Sequence, residues 1–186
     1  MASVAYAIEG SEKSLTEILR AICLAIHGDS KHWEEYKVCI NLGFPEEELE
    51  DKRLGGEISE EPTLRDGVLK FYAEERWDLQ DFEKLLIQKF PDITVYWVVE
   101  ESGCEVYGTN DKEGKYFPER FYLDACVDGI YFSEYFSTEK EMYRWLSNKT
   151  VGRIKSAQDI EDFNDYEDSK ADEENYILIH EFEVVD

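Results

Sequence analysis

Residues Ile93 to Val99 place Ile93, Val95, Trp97 and Val99 on one side of an extended chain and Thr94, Tyr96 and Val98 on the other. A strand sends alternate side chains to opposite faces, so here both faces need cover. That predicts a central strand of a larger sheet. The chain has 186 residues, 42% hydrophobic and 14% aromatic. That is enough to bury roughly 70% of its unfolded surface around one core.

The flanking segments supply the rest of the layers. Val4 to Ile8 reads as a strand. Ser14 and Glu17 have capping-box spacing, and Leu15, Ile18, Leu19, Ile22 and Ile26 then recur at helical spacing until Gly28. Residues 31–44 fit either a short helix or, from Tyr36 to Phe44, an alternating strand. Residues 45–56 read as a loop or a frayed helical turn. Glu57 to Glu61 and Val68 to Glu74 form a hairpin around Asp66-Gly67. Asp78 caps a helix with Leu79, Phe82, Leu85, Leu86 and Phe90 inward, ended by Pro91.

Three further strands, Cys104 to Gly108, Arg120 to Val127 and Ile130 to Phe136, form a meander turning at Asn110-Asp111 and Asp128-Gly129. Thr138 and Glu141 open a short helix with Met142, Trp145 and Leu146 inward. Ser156 caps a weakly amphipathic helix running to about Lys170, and Tyr176 to Val185 alternates as a last strand. The order predicts an α+β, ferredoxin-like (split β-α-β) antiparallel sheet with helices on one face, extended by the meander. We expect a single domain over 1–186. Its core spans about 1–108, and the meander and an acidic C-terminal elaboration fill about 109–186.

One stretch carries a family pattern. An alternating strand leads to Trp77, a helix ends at Phe90-Pro91, an apolar strand follows, and Glu100-Glu101-Ser102-Gly103 precedes a second strand at Gly108. This stretch, from about Val68 to Gly108, resembles the YubB-like (Api92-like) ferredoxin-fold proteins of phages, plasmids and conjugative elements. The resemblance covers under half the chain. It implies the fold and carriage on a mobile genetic element, and it transfers no catalytic residue.

The charge narrows the partners. There are 44 acidic residues against 20 basic ones, a formal net charge of -24. Nucleic-acid phosphate needs Lys and Arg to replace its counterions, and anionic membrane surfaces repel such a chain. Basic protein surfaces attract it. Met1 to Gly10 has no basic residue, and its apolar run is too short for a signal peptide. No stretch approaches the roughly 20 apolar residues of a membrane span. Cys23, Cys39, Cys104 and Cys126 form no CxxC pair and read as free thiols of a cytoplasmic protein.

Chemistry-bearing constellations are few. Cys23, His27, His32 and Cys39 lack a zinc knuckle and read as a core thiol with surface histidines. A calcium-loop register from Asp162 puts Glu167 where the loop requires Gly and Tyr166 at a ligand position. We therefore expect no metal and no cofactor. His180 lies on the face of Leu178 and Phe182 and reads as structural. No nucleophile elbow or phosphate loop occurs, so a non-enzymatic role is expected.

Two acidic clusters remain. Glu46, Glu47 and Glu48, with Glu50 and Asp51, form the first. In the second, Asp159, Glu161, Asp162, Asp165, Glu167 and Asp168 fall within ten residues. That is roughly one charge every 2.5 Å of helix, against about one every 1.7 Å of duplex DNA. Glu161, Asp165, Asp168 and Asp172 fall on one helical stripe. Tyr131 and Tyr135, with Tyr116, Phe117 and Phe136 in or near the meander, offer interface aromatics. The expected function is non-catalytic binding to a basic, nucleic-acid-binding protein. In its sharp form this is a mobile-element inhibitor that mimics nucleic acid and blocks a host defence protein. Two alternatives are an immunity or antitoxin-like protein against a basic toxin, and a small enzyme or ligand-binding domain with a pocket on the sheet.

Overall fold

The computed structural model describes residues 1–28, 32–58, 60–75, 80–169 and 175–185. It is an α+β protein whose chain divides into two compact units, Met1–Asp111 and Lys112–Val185.

In the first unit, β1 (Ala2–Glu9) is followed by α1 (Glu12–Ile26), α2 (Glu34–Asn41) and α3 (Glu46–Leu49). Then come β2 (Glu57–Ile58), β3 (Thr63–Arg65), β4 (Val68–Glu75), α4 (Gln80–Lys89), β5 (Thr94–Glu101) and β6 (Val106–Thr109). The sheet runs β6-β5-β1-β4, with β2 and β3 both on the outer edge of β4, and these pairings are antiparallel. The expected central strand is there as β5, held between β1 and β6. Register sets Tyr6 opposite both Phe71 and Trp97, and Ile8 opposite both Leu69 and Val95. These side chains form one buried face. Phe82 of α4 packs edge-on against Tyr6 and Phe71, at 6.0 and 6.4 Å between ring centroids. Leu15, Ile18 and Ile22 of α1 are fully buried, and α1 lies against β3 and β4.

Local chemistry explains the departures from the sequence reading. Ser11, not Ser14, caps α1: its Oγ accepts from the Ser14 N–H at 3.2 Å. Ser14 donates instead to Asp92 at 2.9 Å, tying the helix start to the turn before β5. Residues 34–41 are helical, because Val38, Cys39 and Leu42 share a buried face at helical spacing. The strand alternative for that segment is overturned. The Asp66-Gly67 turn has φ of 51° and 76°, the left-handed pair a tight hairpin requires. The strand it joins to β4 is β3, and the strand expected over Glu57 to Glu61 shrinks to β2. Asp78, Leu79 and Trp77 lie outside the described residues.

Under the first sheet lies a pair of carboxyl groups. Glu35 is 1% exposed and Glu75 is 3% exposed. The Tyr6 phenol donates to Glu75 Oε1 at 2.7 Å, and the Gly56 N–H donates to Glu35 Oε2 at 2.9 Å. Glu35 Oε1 is buried and meets no donor, and the Glu35 carboxyl group as a whole lies within hydrogen-bond reach of Glu75. Two such acceptors are satisfied only when one carries a proton. Burial, and then the Glu75 charge, hold the Glu35 carboxyl well above the usual carboxylate range; the Gly56 N–H opposes them.

The second unit contains β7 (Phe121–Val127), β8 (Ile130–Phe136), α5 (Glu139–Lys149), α6 (Ala157–Asp168) and β9 (Tyr176–Glu181). The sequence predicts that the meander extends the first sheet. Only β6 does. β7 and β8 pair with one another and with β9 in a separate antiparallel sheet, ordered β8-β7-β9. The reason is a second core: Leu123, Ala125, Val127 and Ile177 pack with Met142, Leu146 and Ile160 of the two helices. Thr138 and Ser156 cap α5 and α6 as expected, accepting from the Glu141 and Asp159 N–H groups at 3.3 Å each. Among the described residues, no helix is long and apolar enough to cross a membrane.

Candidate protein-binding surface

Helix α6 is held by its inner side. The Asn164 side chain accepts from the Ile177 N–H at 2.9 Å and donates to the Ile177 carbonyl at 2.8 Å, clamping the helix to β9. Ile160 is buried and Phe163 half-buried. This fixes the rotation of the helix and turns Glu161, Asp162, Asp165 and Asp168 to solvent. Asp172, the expected continuation of the stripe, lies outside the described residues.

Two other acids of the cluster serve the fold. Glu167 is buried and accepts from Asn175 Nδ2 at 3.0 Å. Asp159 accepts from the Lys155 N–H at 2.8 Å, and this bond is the main cause of its lowered carboxyl pKa. The charge facing solvent is therefore four carboxylates over eight residues, roughly one per 3 Å of helix. That is sparser than the sequence alone suggests. Among the described residues, no Lys or Arg forms an ion pair with these four. The Gln158 amide donates to Glu161 at 3.2 Å and to Asp162 at 2.9 Å.

The arrangement costs stability. Asp165 stands one turn from each of Glu161, Asp162 and Asp168, and like charges at those spacings repel. Asp165 and Asp168 also lie toward the C-terminus of α6, the negative end of its dipole, where the last turn holds no basic residue. The same continuous helix removes the calcium-loop register, which needs a loop from Asp162 onward.

Tyr131 and Tyr135 do not join this acidic face. They lie across the sheet from α6, on the side of β8 that carries no helix. Register brings Tyr135 opposite Tyr122, Tyr131 opposite Cys126, and Asp124 opposite both Ser133 and Leu178. The Tyr135 ring packs 4.7 Å from Tyr122, and His180 stacks on Tyr122 at 6.0 Å. The Tyr176 phenol donates to Asp124 Oδ2 at 3.2 Å. Burial first, then the Asp124 charge, raise that phenol's pKa. Tyr131 is 61% exposed and Tyr135 43% exposed. The sequence reading missed Tyr122, Asp124 and Tyr176. The signal was the two-residue period around Asp128-Gly129, which fixes the register of β7 and β8. His180 faces this open side, not the core, because Ile177 and Ile179 occupy the inner positions. Tyr116 and Phe117 fall in the connection before β7.

Glu46, Glu47 and Glu48 occupy α3 in the first unit, exposed, with Leu49 buried beneath them. Among the described residues, no group of three His, Cys, Asp or Glu side chains is placed to hold a metal ion. Cys39 is buried, and that burial pushes its thiol up to about 12. His27 is an exposed surface group 3.7 Å from Glu61. On the far side of the first sheet, a hollow of about 310 Å³ is lined by Ser3, Ala5, Tyr72, Glu74, Val98 and Glu100. Its size is at the low end of ligand pockets, and its charged groups are carboxylates. Comparison with known proteins adds no neighbour: no family model matches the chain, and no curated protein or solved structure matches it.

Proposed function

We propose that this chain is a non-catalytic binding protein that docks by negative charge onto a basic, nucleic-acid-binding protein. The carrying observation is α6. Four carboxylates face solvent at mutually repelling positions, with no described cation to offset them and with two near the unfavourable end of the helix dipole. Solubility alone needs no such placement, since acids elsewhere on the surface would serve without the repulsion. A partner's lysines and arginines would relieve the repulsion on binding.

In its sharper form the chain imitates nucleic-acid phosphate and occupies the partner's binding groove, as a mobile-element inhibitor of a host defence protein would. The net charge of -24, spread over two folded units, supports this form. The strand order β5-β1-β4-β3, with α1 and α4 on the crossovers, supports a ferredoxin-like reading of the first unit and agrees with the YubB-like resemblance. The four cysteines stand as free thiols, which supports a reducing, cytoplasmic setting.

The test is a paired pull-down from nuclease-treated bacterial lysate, using wild type and the D162N/D165N/D168N variant. We expect the wild type to retain a basic nucleic-acid-binding protein that salt elutes, and the variant to lose it. Equal recovery on both, insensitive to salt, would end the proposal.

A further inference from the structure

Resting on the reading that the partner is basic, we propose that the open face of the second sheet is an arginine-binding surface. There the partner's guanidinium groups stack on Tyr131 and Tyr135 and pair with Asp124. On β8 the small Ser133 separates the two exposed tyrosines, and Asp124 stands directly opposite it on β7. Cross-strand neighbours lie about 4.5–5.5 Å apart at Cβ and diagonal ones about 7–8 Å. A side chain reaching the floor at Ser133 therefore meets a carboxylate in front and a phenol ring to either side. The 4.7 Å packing on Tyr122 holds the Tyr135 ring, and the Tyr176 hydroxyl holds the carboxylate. The surface is thus ordered in advance, which lowers the entropic cost of binding.

Charge selects the occupant. The three strands of this sheet, Phe121–Val127, Ile130–Phe136 and Tyr176–Glu181, contain no Lys or Arg, and of their three acids Asp124 lies on the open face while Glu134 and Glu181 fall at helix-side positions of the register. Stacked nucleic-acid bases would bring phosphate against the Asp124 carboxylate, with no Lys or Arg on these strands to receive it, which disfavours them. A cation over a phenol ring is attracted by the ring's negative face. Arginine suits the notch better than lysine, because its planar, weakly hydrated fork stacks on a ring while bonding a carboxylate.

The test compares nona-arginine and nona-lysine peptides by calorimetry at fixed salt. We expect the wild type to bind nona-arginine about five-fold or more tighter than nona-lysine. The Tyr131→Ala/Tyr135→Ala variant should bring that ratio to about one while keeping the nona-lysine affinity. The Tyr131→Phe/Tyr135→Phe variant should keep the ratio, since the rings remain. The D162N/D165N/D168N variant should weaken both peptides alike. Equal wild-type affinities, or a ratio unchanged in the alanine variant, overturn the arginine surface while leaving the acidic reading in place. Failure of both peptides to bind overturns both.

Discussion

At the scale of the residue, the buried Glu35–Glu75 pair makes stability depend on pH in an unusual sense. Most buried acids in ion pairs have depressed pKa values and lose stability on acidification. Glu35 is held above its ordinary value, chiefly by burial. The folded state therefore keeps a proton that the unfolded chain releases from about pH 4.3 upward. Its contribution is fully present below that pH and declines as pH rises toward the folded-state value. Melting curves from pH 5 to 8 should show wild type losing stability faster than Glu35→Gln. The glutamine can still accept from Gly56 and donate to Glu75 without needing a proton. The comparison cancels the repulsion of the net charge, which both proteins share; parallel curves would mean that no proton is held. Gly56 is bound to the same device. A Cβ there would clash with Glu35 Cδ, and the Gly56 N–H anchors that same carboxylate. Gly56→Ala should cost about 1–3 kcal/mol in chemical denaturation, the scale of overpacking a filled core. A neutral result would show that the Glu35 side chain can move aside.

At the scale of the element, local signals set most of what is observed. The caps at Thr138 and Ser156, the Asp-Gly turns at 66–67 and 128–129, and the two-faced strand before Val99 are each decided by chemistry within a few residues. What the sequence hid was decided at a distance. Ser14 fits a cap by spacing, but Asp92 competes for its hydroxyl. Tyr36 to Phe44 alternates as a strand would, yet the apolar residues Val38, Cys39 and Leu42 find their partners at helical spacing. β6 and β7 look like one meander, and a core built from α5 and α6 draws β7 away. In the candidate site, the exposure of Glu161, Asp162, Asp165 and Asp168 follows from spacing alone. The inward turn of Glu167 depends on Asn175, and the separation of Tyr131 from α6 depends on which sheet face the helices cover. Helix α6 also yields a test in which function and stability move in opposite directions. Replacing Asp162, Asp165 and Asp168 by Asn removes repulsion along the helix and at its C-terminal end. The melting temperature should therefore rise by roughly 1–3 °C. A fall in melting temperature would mean that these carboxylates support the fold, and the argument from costly placement would fail.

At the scale of the whole molecule, each unit by itself carries acid-rich surface on a folded scaffold, so within each unit the charge is presented in fixed positions. Fixed charge can match a groove, and each carboxylate that replaces a phosphate should add to the salt dependence of binding. The affinity of the captured partner should fall steeply between about 50 and 200 mM salt, and less steeply for the D162N/D165N/D168N variant. The most direct measurement is competition. The partner captured on the immobilised chain is challenged with duplex DNA or RNA at fixed salt, and the amount released is followed. Mutually exclusive occupancy predicts that nucleic acid displaces the partner in proportion to its concentration. A stable ternary complex of chain, partner and nucleic acid would contradict the account, because the acidic surface would then lie outside the groove it is proposed to fill.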